Sequence, residues 1–333
     1  MAVSGGPCQK PHERTDVRFR PARAMVAFNP RATPAANDFY AAVLRMGKES
    51  RLPLLAGGSY AINAYTGQNR GTKDVDFFCK AGDYPRLLAA AAEAGFETEV
   101  EDDRWIAKIK RGKLFCDVIW GSANMVASVS DGWFEEPIPA KILDVPVKLL
   151  APTELIWSKA FIMDRTKFDG GDVAHIMLRE HKRIDWPKLL NYFELYWEVL
   201  LAHVVLFRFI YPSERNRVPD WVMDELLDRL DVQRRLPLPL KTPCRGRLFS
   251  RDDYQVDVEQ WGYADVVGDD RAWLQQERDR RLEQLREQVG EEHPPRSRAE
   301  GPKRRGGEGE KRVGGQRREI EQVPAEGSQE ERG

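Results

Sequence analysis

Two aspartates one residue apart, Asp74-Val75-Asp76, follow Gly57-Gly58-Ser59 by fifteen residues. The intervening chain runs from an apolar stretch, Leu52-Pro-Leu-Leu-Ala56, through the glycine turn into a helix-compatible segment. On a strand, residues i and i+2 share a face, so Asp74 and Asp76 project together while Val75 and Phe77 point the other way. Two carboxylates held that close repel unless a cation lies between them. Oxygen ligands beside a phosphate-binding turn suit Mg²⁺ or Mn²⁺ and a nucleoside triphosphate. Glycines let backbone approach a phosphate, and the first N–H groups of a helix favour an anion. Ser59 is the first polar side chain at that turn.

A third carboxylate completes such a set. In Lys113-Leu-Phe-Cys-Asp117-Val-Ile-Trp the lone acid sits among apolar neighbours, and a carboxylate there is costly without a partner. Glu97 and Glu99 are rival candidates on a more polar strand. Leu54–Phe78 together with Asp117 resembles the signature of the DNA polymerase β-like nucleotidyltransferases: a Gly-Gly-Ser turn, an Asp-x-Asp strand and a later acid. That resemblance implies an α+β fold, a mixed sheet with helices followed by a helical domain. It also implies transfer of a nucleoside monophosphate from an NTP to a hydroxyl, with divalent metal on Asp74, Asp76 and Asp117 and the nucleotide phosphates on Gly57, Gly58 and Ser59.

A second stretch is similar to the AbiEii-type nucleotidyltransferases, the toxin halves of certain toxin–antitoxin systems. It comprises Pro152, Glu154 and Lys159, then Arg165, Lys167, Asp169 and Asp172. By that resemblance Lys159 lies near the NTP phosphates and Asp172 is a catalytic or orienting carboxylate. The acceptor is then a tRNA, a protein hydroxyl or a small molecule, and a cognate antitoxin is a partner. Phe168, Gly170 and Gly171 depart from that family's pattern, which carries Arg before the first Asp and bulkier residues after it. The competing reading is a catalytically inactive nucleotide- or RNA-binding protein of the same fold; retention of Ser59 and all three aspartates argues against it.

The elements that position these residues are readable in outline. Helices are expected near 37–48, 60–66 and 85–94. Strands are expected near 52–56, 74–79, 96–100, 105–110 and 113–120, with a hairpin at Gly112 and a closing pair within 140–149. Thr153 is a candidate helix cap with Pro152 just outside, and Leu155, Ile156, Ala160 and Met163 form a buried face. Lys159 borders that stripe, where a lysine can also snorkel to water. Asp185-Trp-Pro187 reads as a helix start. Leu195–Ile210 carries Glu198, His203 and Arg208 and reads as a buried helix rather than a membrane span.

The expected organisation is a flexible segment 1–34, containing Met25 as an alternative start. A nucleotidyltransferase domain follows at 35–150, then a helical domain at 151–232, a small element at 233–288 without assigned chemistry, and a disordered tail at 289–333. That tail has no aromatic residue beyond position 290. The chain of 333 residues balances 52 basic against 53 acidic side chains, so it is not a basic nucleic-acid binder as a whole. The basic run Lys108–Lys113 reads as a solvated hairpin more readily than as a phosphate strip. Cys8, Cys79, Cys116 and Cys244 lack metal or disulfide spacing, and His175 and His181 have no partners at ligand spacing. No signal segment is evident, and the expected location is the cytoplasm.

Overall fold

In the computed structural model, residues 26–27, 32–239, 242–267, 279 and 283 are described. Met25, Cys8, most of the expected N-terminal segment and the whole of the 289–333 tail lie outside them. The chain forms β1 (Val26–Ala27), α1 (Pro34–Glu49), β2 (Leu55–Ala56), α2 (Gly58–Thr66), β3 (Asp76–Phe78) and α3 (Tyr84–Glu93). Then come β4 (Glu97–Asp102), β5 (Ile106–Arg111), β6 (Leu114–Ile119), β7 (Ile138–Ile142) and β8 (Val145–Leu149). A helical stretch follows: α4 (Pro152–Lys159), α5 (Gly170–Glu180), α6 (Trp186–Tyr192), α7 (Trp197–Ile210) and α8 (Asp220–Arg235). A small element closes it, with β9 (Pro243–Cys244), α9 (Gln255–Glu259) and β10 (Ala264–Asp265).

The first eight strands make one mixed sheet in the order β1-β7-β8-β2-β3-β6-β5-β4. This is the α+β architecture expected from the sequence, a mixed sheet with helices followed by helices. β3 runs antiparallel to β2 and parallel to β6, and it places Asp76 directly beside Asp117. Hence Val75, Phe77, Cys116 and Val118 fall on the opposite face and are buried, together with the apolar side of α1, Phe39, Tyr40, Val43 and Leu44. Apolar alternation thus orients the strands, and the carboxylates emerge on the other face. One contiguous apolar core runs from α1 through the sheet into α4–α8 and includes Leu248 and Val266 of the last element.

Local rules explain most element ends. Thr33 caps α1 by accepting from Ala36 N at 3.2 Å, with Pro34 in the first turn. Gly112 takes φ 60° in the turn joining β5 to β6, the hairpin read from the sequence. Asp185 caps α6, its carboxylate accepting from Lys188 N at 2.9 Å. Cys79, Cys116 and Cys244 are buried free thiols.

Four expectations need correction. Pro152 is inside α4, with Ala151 as its cap residue; the Thr153 hydroxyl instead accepts from Asp185 N at 2.9 Å and ties α4 to α6. Met163 lies beyond the end of α4 and bridges Phe168, because the helix stops at Lys159. α7 is not buried all round: Val205, Phe209 and Ile210 are exposed, since only one side of the helix meets the core. β2 and β3 are far shorter than expected, because the chain leaves β2 directly into the glycine turn and enters β3 from a loop that carries Asp74.

Candidate active site

Asp74, Asp76 and Asp117 converge, each offering a carboxylate oxygen within 4.8 Å of the others. Asp76 and Asp117 are register partners on β3 and β6, and Asp74 reaches in from the loop before β3. Thr72 Oγ1 donates to Asp74 Oδ1 at 2.8 Å and so fixes that third arm. Burial first, then the neighbouring Asp74 and Asp117 carboxylates, push the Asp76 carboxyl up to about 7. Burial and Asp74 likewise push Asp117 up to about 6. Asp117 Oδ1 is buried with no hydrogen-bond partner among the described residues. A buried, unsatisfied carboxylate oxygen beside two more acids is unfavourable for a bare protein and fits a hard divalent cation with oxygen ligands. Glu97 and Glu99 are on the edge strand β4, away from this cluster, and Glu99 pairs with Lys110.

The glycine turn is built around Asp76. Gly57 N donates to Asp76 O at 2.9 Å. Gly58 has φ +53°, and a Cβ there would lie 1.5 Å from Asp76 Oδ2. Only glycine permits both the left-handed backbone and that approach. Gly57 sits behind it, where a Cβ would strike the Phe78 ring at 2.3 Å. Gly58 and Ser59 line the cleft at the start of α2; Gly57 does not. Gly57 therefore shapes the turn rather than meeting the cleft directly.

Arg70, which sequence reasoning passed over, lies in the loop between α2 and β3. The Asn63 side chain on α2 pins its backbone, donating to Arg70 O at 2.8 Å and accepting from Arg70 N at 3.1 Å. Its guanidinium donates two bonds to Asp172, at 2.7 and 2.8 Å, while remaining part of the cleft wall. The available signal was an arginine in the short Asn69-Arg-Gly-Thr-Lys73 loop leading into the aspartates.

Lys159 neither snorkels nor stands free. It is buried, and its Nζ lies 2.7 Å from Asp169 Oδ2 and 2.9 Å from Asp172 Oδ2. Burial works against its charge, but Asp172 and Asp169 outweigh it and hold its pKa above the ordinary lysine range. For Asp172, burial is outweighed by the bonds from Arg70 and the charge of Lys159, so its carboxyl stays below the usual range. Asp172 is thus two-fold paired, and it faces Arg70 and Lys159 rather than the metal-type cluster. Phe168 and Gly170 are matched to each other: the Phe168 ring occupies the space that a Cβ at 170 would need, 2.1 Å away.

The three aspartates, Gly58, Ser59, Arg70, Lys159 and Asp169 share one cleft of about 590 Å³. Its lining includes Gly58, Ser59, Arg70, Lys167 and the three aspartates together with the apolar Phe78, Ile119, Trp133, Phe161 and Phe249. Of the other sequence candidates, Lys108 and Lys110 are paired to Glu101 and Glu99, a solvated strand face. His175 contacts Gln68 and His181 contacts Arg217, so neither joins a ligand set. Asp253 pairs with Arg165. No helix among the described residues is long and apolar enough to cross a membrane.

No protein-family model matches the chain, and no curated protein matches it. Solved structures do. The antibiotic-resistance factor ANT(2'')-Ia, in complex with adenylyl-2''-tobramycin, is 19% identical, covering 53% of this chain and 99% of its own, at a TM-score of 0.35. The lincosamide antibiotic adenylyltransferase LnuA, with lincomycin bound, is 16% identical over 44% and 96%, at 0.32. JHP933 from Helicobacter pylori is 10% identical over 68% and 99%, at 0.30.

Proposed function

We propose that this chain is a metal-dependent nucleotidyltransferase that moves a nucleoside monophosphate from an NTP to a hydroxyl acceptor. The observation that carries this reading is the convergence of Asp74, Asp76 and Asp117, with a buried unpartnered oxygen on Asp117, beside a glycine turn shaped to Asp76. Such a set is unfavourable by itself and fits cation-assisted phosphoryl chemistry. Divalent Mg²⁺ or Mn²⁺, held by these three residues, would supply charge neutralisation and Lewis-acid polarisation at the reacting phosphoryl group.

The chain's own groups do the rest. Gly58 and Ser59, at the N-terminus of α2, offer backbone N–H groups and a hydroxyl to the leaving phosphates. Arg70 adds a fixed positive charge at the same end, and Asp172, held by Lys159, orients its guanidinium. Asp172 is therefore a positioning residue in this scheme, and Lys159 acts through it. Asp117 would also help to deprotonate the acceptor's hydroxyl. The acceptor oxygen bonds to the α-phosphorus as the α–β bridging bond breaks and pyrophosphate departs. Most of the acceleration comes from positioning and charge stabilisation.

The test is incubation with each α-labelled NTP and Mg²⁺, offering bulk tRNA, lysate protein or small hydroxylated compounds as acceptor. An Asp74→Ala, Asp76→Ala double variant runs beside the unmodified chain. Label moved only by the unmodified chain supports the reading, and the labelled product names the acceptor and tests the toxin role. Equal labelling by both proteins, or NTP binding indifferent to metal and to the double substitution, removes it.

A further inference from the structure

The small element at 243–267 is part of the cleft, although its sequence carries no recognisable motif. Leu248 and Val266 are buried in the core. The Leu248 carbonyl accepts from Asn124 Nδ2 at 2.7 Å, which ties the element to the loop after β6. Arg245 bonds the Leu195 carbonyl and Glu198, and Asp253 pairs with Arg165 at 2.6 Å, which tie it to the helical residues. Gly246 leaves room for the Tyr254 ring, which a Cβ would meet at 2.2 Å. The turn between β9 and α9 is thereby pinned from both sides, and Arg247, Leu248, Phe249 and Arg251 line the cleft that holds the aspartates.

The cleft is graded along the strands. Gly58, Ser59 and Arg70 lie toward the Asp74 end of β3. Phe78 and Ile119 are two residues beyond Asp76 and Asp117 on the same strand faces, and Ile106 pairs with Ile119. Two residues of strand span roughly 6–7 Å, a step comparable to the reach of a ribose between its phosphate and its base. Phe161 and Phe249, ring centroids 6.0 Å apart, line the same cleft. The last element adds two arginines to the lining, of which Arg251 is exposed and Arg247 half-buried. The Arg247 side chain is 13% exposed and pairs with Asp265 through Nη1, and Nε is buried without a partner among the described residues. A guanidinium carries five N–H groups and no acceptor, so donors remain after the Asp265 pair.

Resting on the nucleotidyltransferase reading, we infer that residues 246–251 form the nucleobase subsite, with Phe249 as stacking surface and Arg247 as the base-reading residue. A donor-only fork is satisfied by two adjacent acceptors. Guanine presents N7 with O6 and cytosine N3 with O2, whereas adenine has its amino group beside N1 and N7 and only a lone acceptor at N3, and uracil sets an N–H between its carbonyls. GTP and CTP are the expected substrates over ATP and UTP, by about 5- to 150-fold in affinity, the range of one bidentate arginine contact.

Calorimetric titration of the full chain with GTP, CTP, ATP, UTP and inorganic tripolyphosphate, each with Mg²⁺, tests this. The unmodified chain should bind GTP or CTP at least about 5-fold more tightly than ATP and UTP. Arg247→Lys keeps a cation for Asp265 but loses the planar fork, and should bring the four NTPs together without changing tripolyphosphate affinity. Phe249→Ala should weaken all four NTPs alike and leave tripolyphosphate untouched. Equal affinities in the unmodified chain, or a base preference that survives Arg247→Lys, overturn the inference. Tripolyphosphate binding that still requires Mg²⁺, Asp74 and Asp76 in that event leaves the nucleotidyltransferase reading standing; loss of that requirement sinks the reading itself.

Discussion

Asp76→Asn should make the metal-free protein more stable while removing its response to metal. Each tenfold change in proton affinity is worth about 1.4 kcal/mol. Folding moves the Asp76 carboxyl from the ordinary aspartate value up to about 7. At pH 8, with both states ionised, that shift costs the metal-free fold ~4 kcal/mol at most. Asp74 and Asp117 share the same repulsion, so a realistic figure is ~2–4 kcal/mol. Between about pH 4 and pH 7 the folded state holds the proton that the unfolded state has lost. Stability therefore falls as pH rises through that window, and the loss is complete above the folded pKa. Asparagine keeps the shape and does not titrate. The variant's advantage should be near zero below about pH 4, ~1 kcal/mol at pH 5 and ~2–4 kcal/mol at pH 8.

Thermal melts in EDTA read this directly, at roughly 2 °C per kcal/mol for a chain of this size. The variant should melt on the order of 4–8 °C above the unmodified chain at pH 8. Millimolar Mg²⁺ should raise the melting temperature of the unmodified chain and leave the variant where it was. A variant that melts below the unmodified chain in EDTA at pH 8, or a gap of the same size at pH 5 and pH 8, would refute the reasoning that Asp76 is a repelled carboxylate awaiting a cation.

Gly58→Ala puts a Cβ onto Asp76 Oδ2 and an L side chain at φ +53°. The left-handed backbone alone costs ~1–2 kcal/mol, and the clash must push Asp76 aside. Mg²⁺-dependent stabilisation and transfer should both vanish while far-ultraviolet dichroism is retained; a variant that still binds Mg²⁺ would show that the turn does not shape the site. Asp172→Ala leaves Arg70 unheld and deprives buried Lys159 of one of its two carboxylates. Removing one partner of a buried ion pair costs ~3–5 kcal/mol, here toward the lower end because Asp169 still pairs with Lys159. Urea denaturation checks the loss, and a change under 1 kcal/mol would mean that the pairing is incidental. Arg70→Gln should weaken binding of NTP and tripolyphosphate alike, with a smaller loss of stability than Asp172→Ala because Lys159 still pairs with the buried Asp172; unchanged tripolyphosphate affinity in calorimetry would remove Arg70 from the phosphate end.

Short-range chemistry settled much of this protein in its sequence alone. Glycines followed by an acid-apolar-acid run, and a lone acid inside an apolar strand, marked Asp74, Asp76, Asp117, Gly58 and Ser59 as candidates, and strand alternation sends Asp76 and its register partner Asp117 to one face. Gly112 and Asp185 likewise announced a hairpin and a helix start, since a turn at positive φ and a capping carboxylate are local demands. Other features depended on which distant segments meet. Arg70 becomes a cleft residue only because Asp172, 102 positions later, grips it. Lys159 had an open choice between water and burial until Asp169 and Asp172 folded over it from α5 and its cap. Thr153 had the right type to cap α4, but Asp185 N offered its hydroxyl a tertiary partner. Residues 243–267 gave no chemical signal, because Arg247 and Phe249 meet the cleft of the aspartates only through packing. Sequence pattern records what neighbours along the chain impose; long-range ion pairs and shared cleft walls arise from packing, and only the tertiary structure decides them.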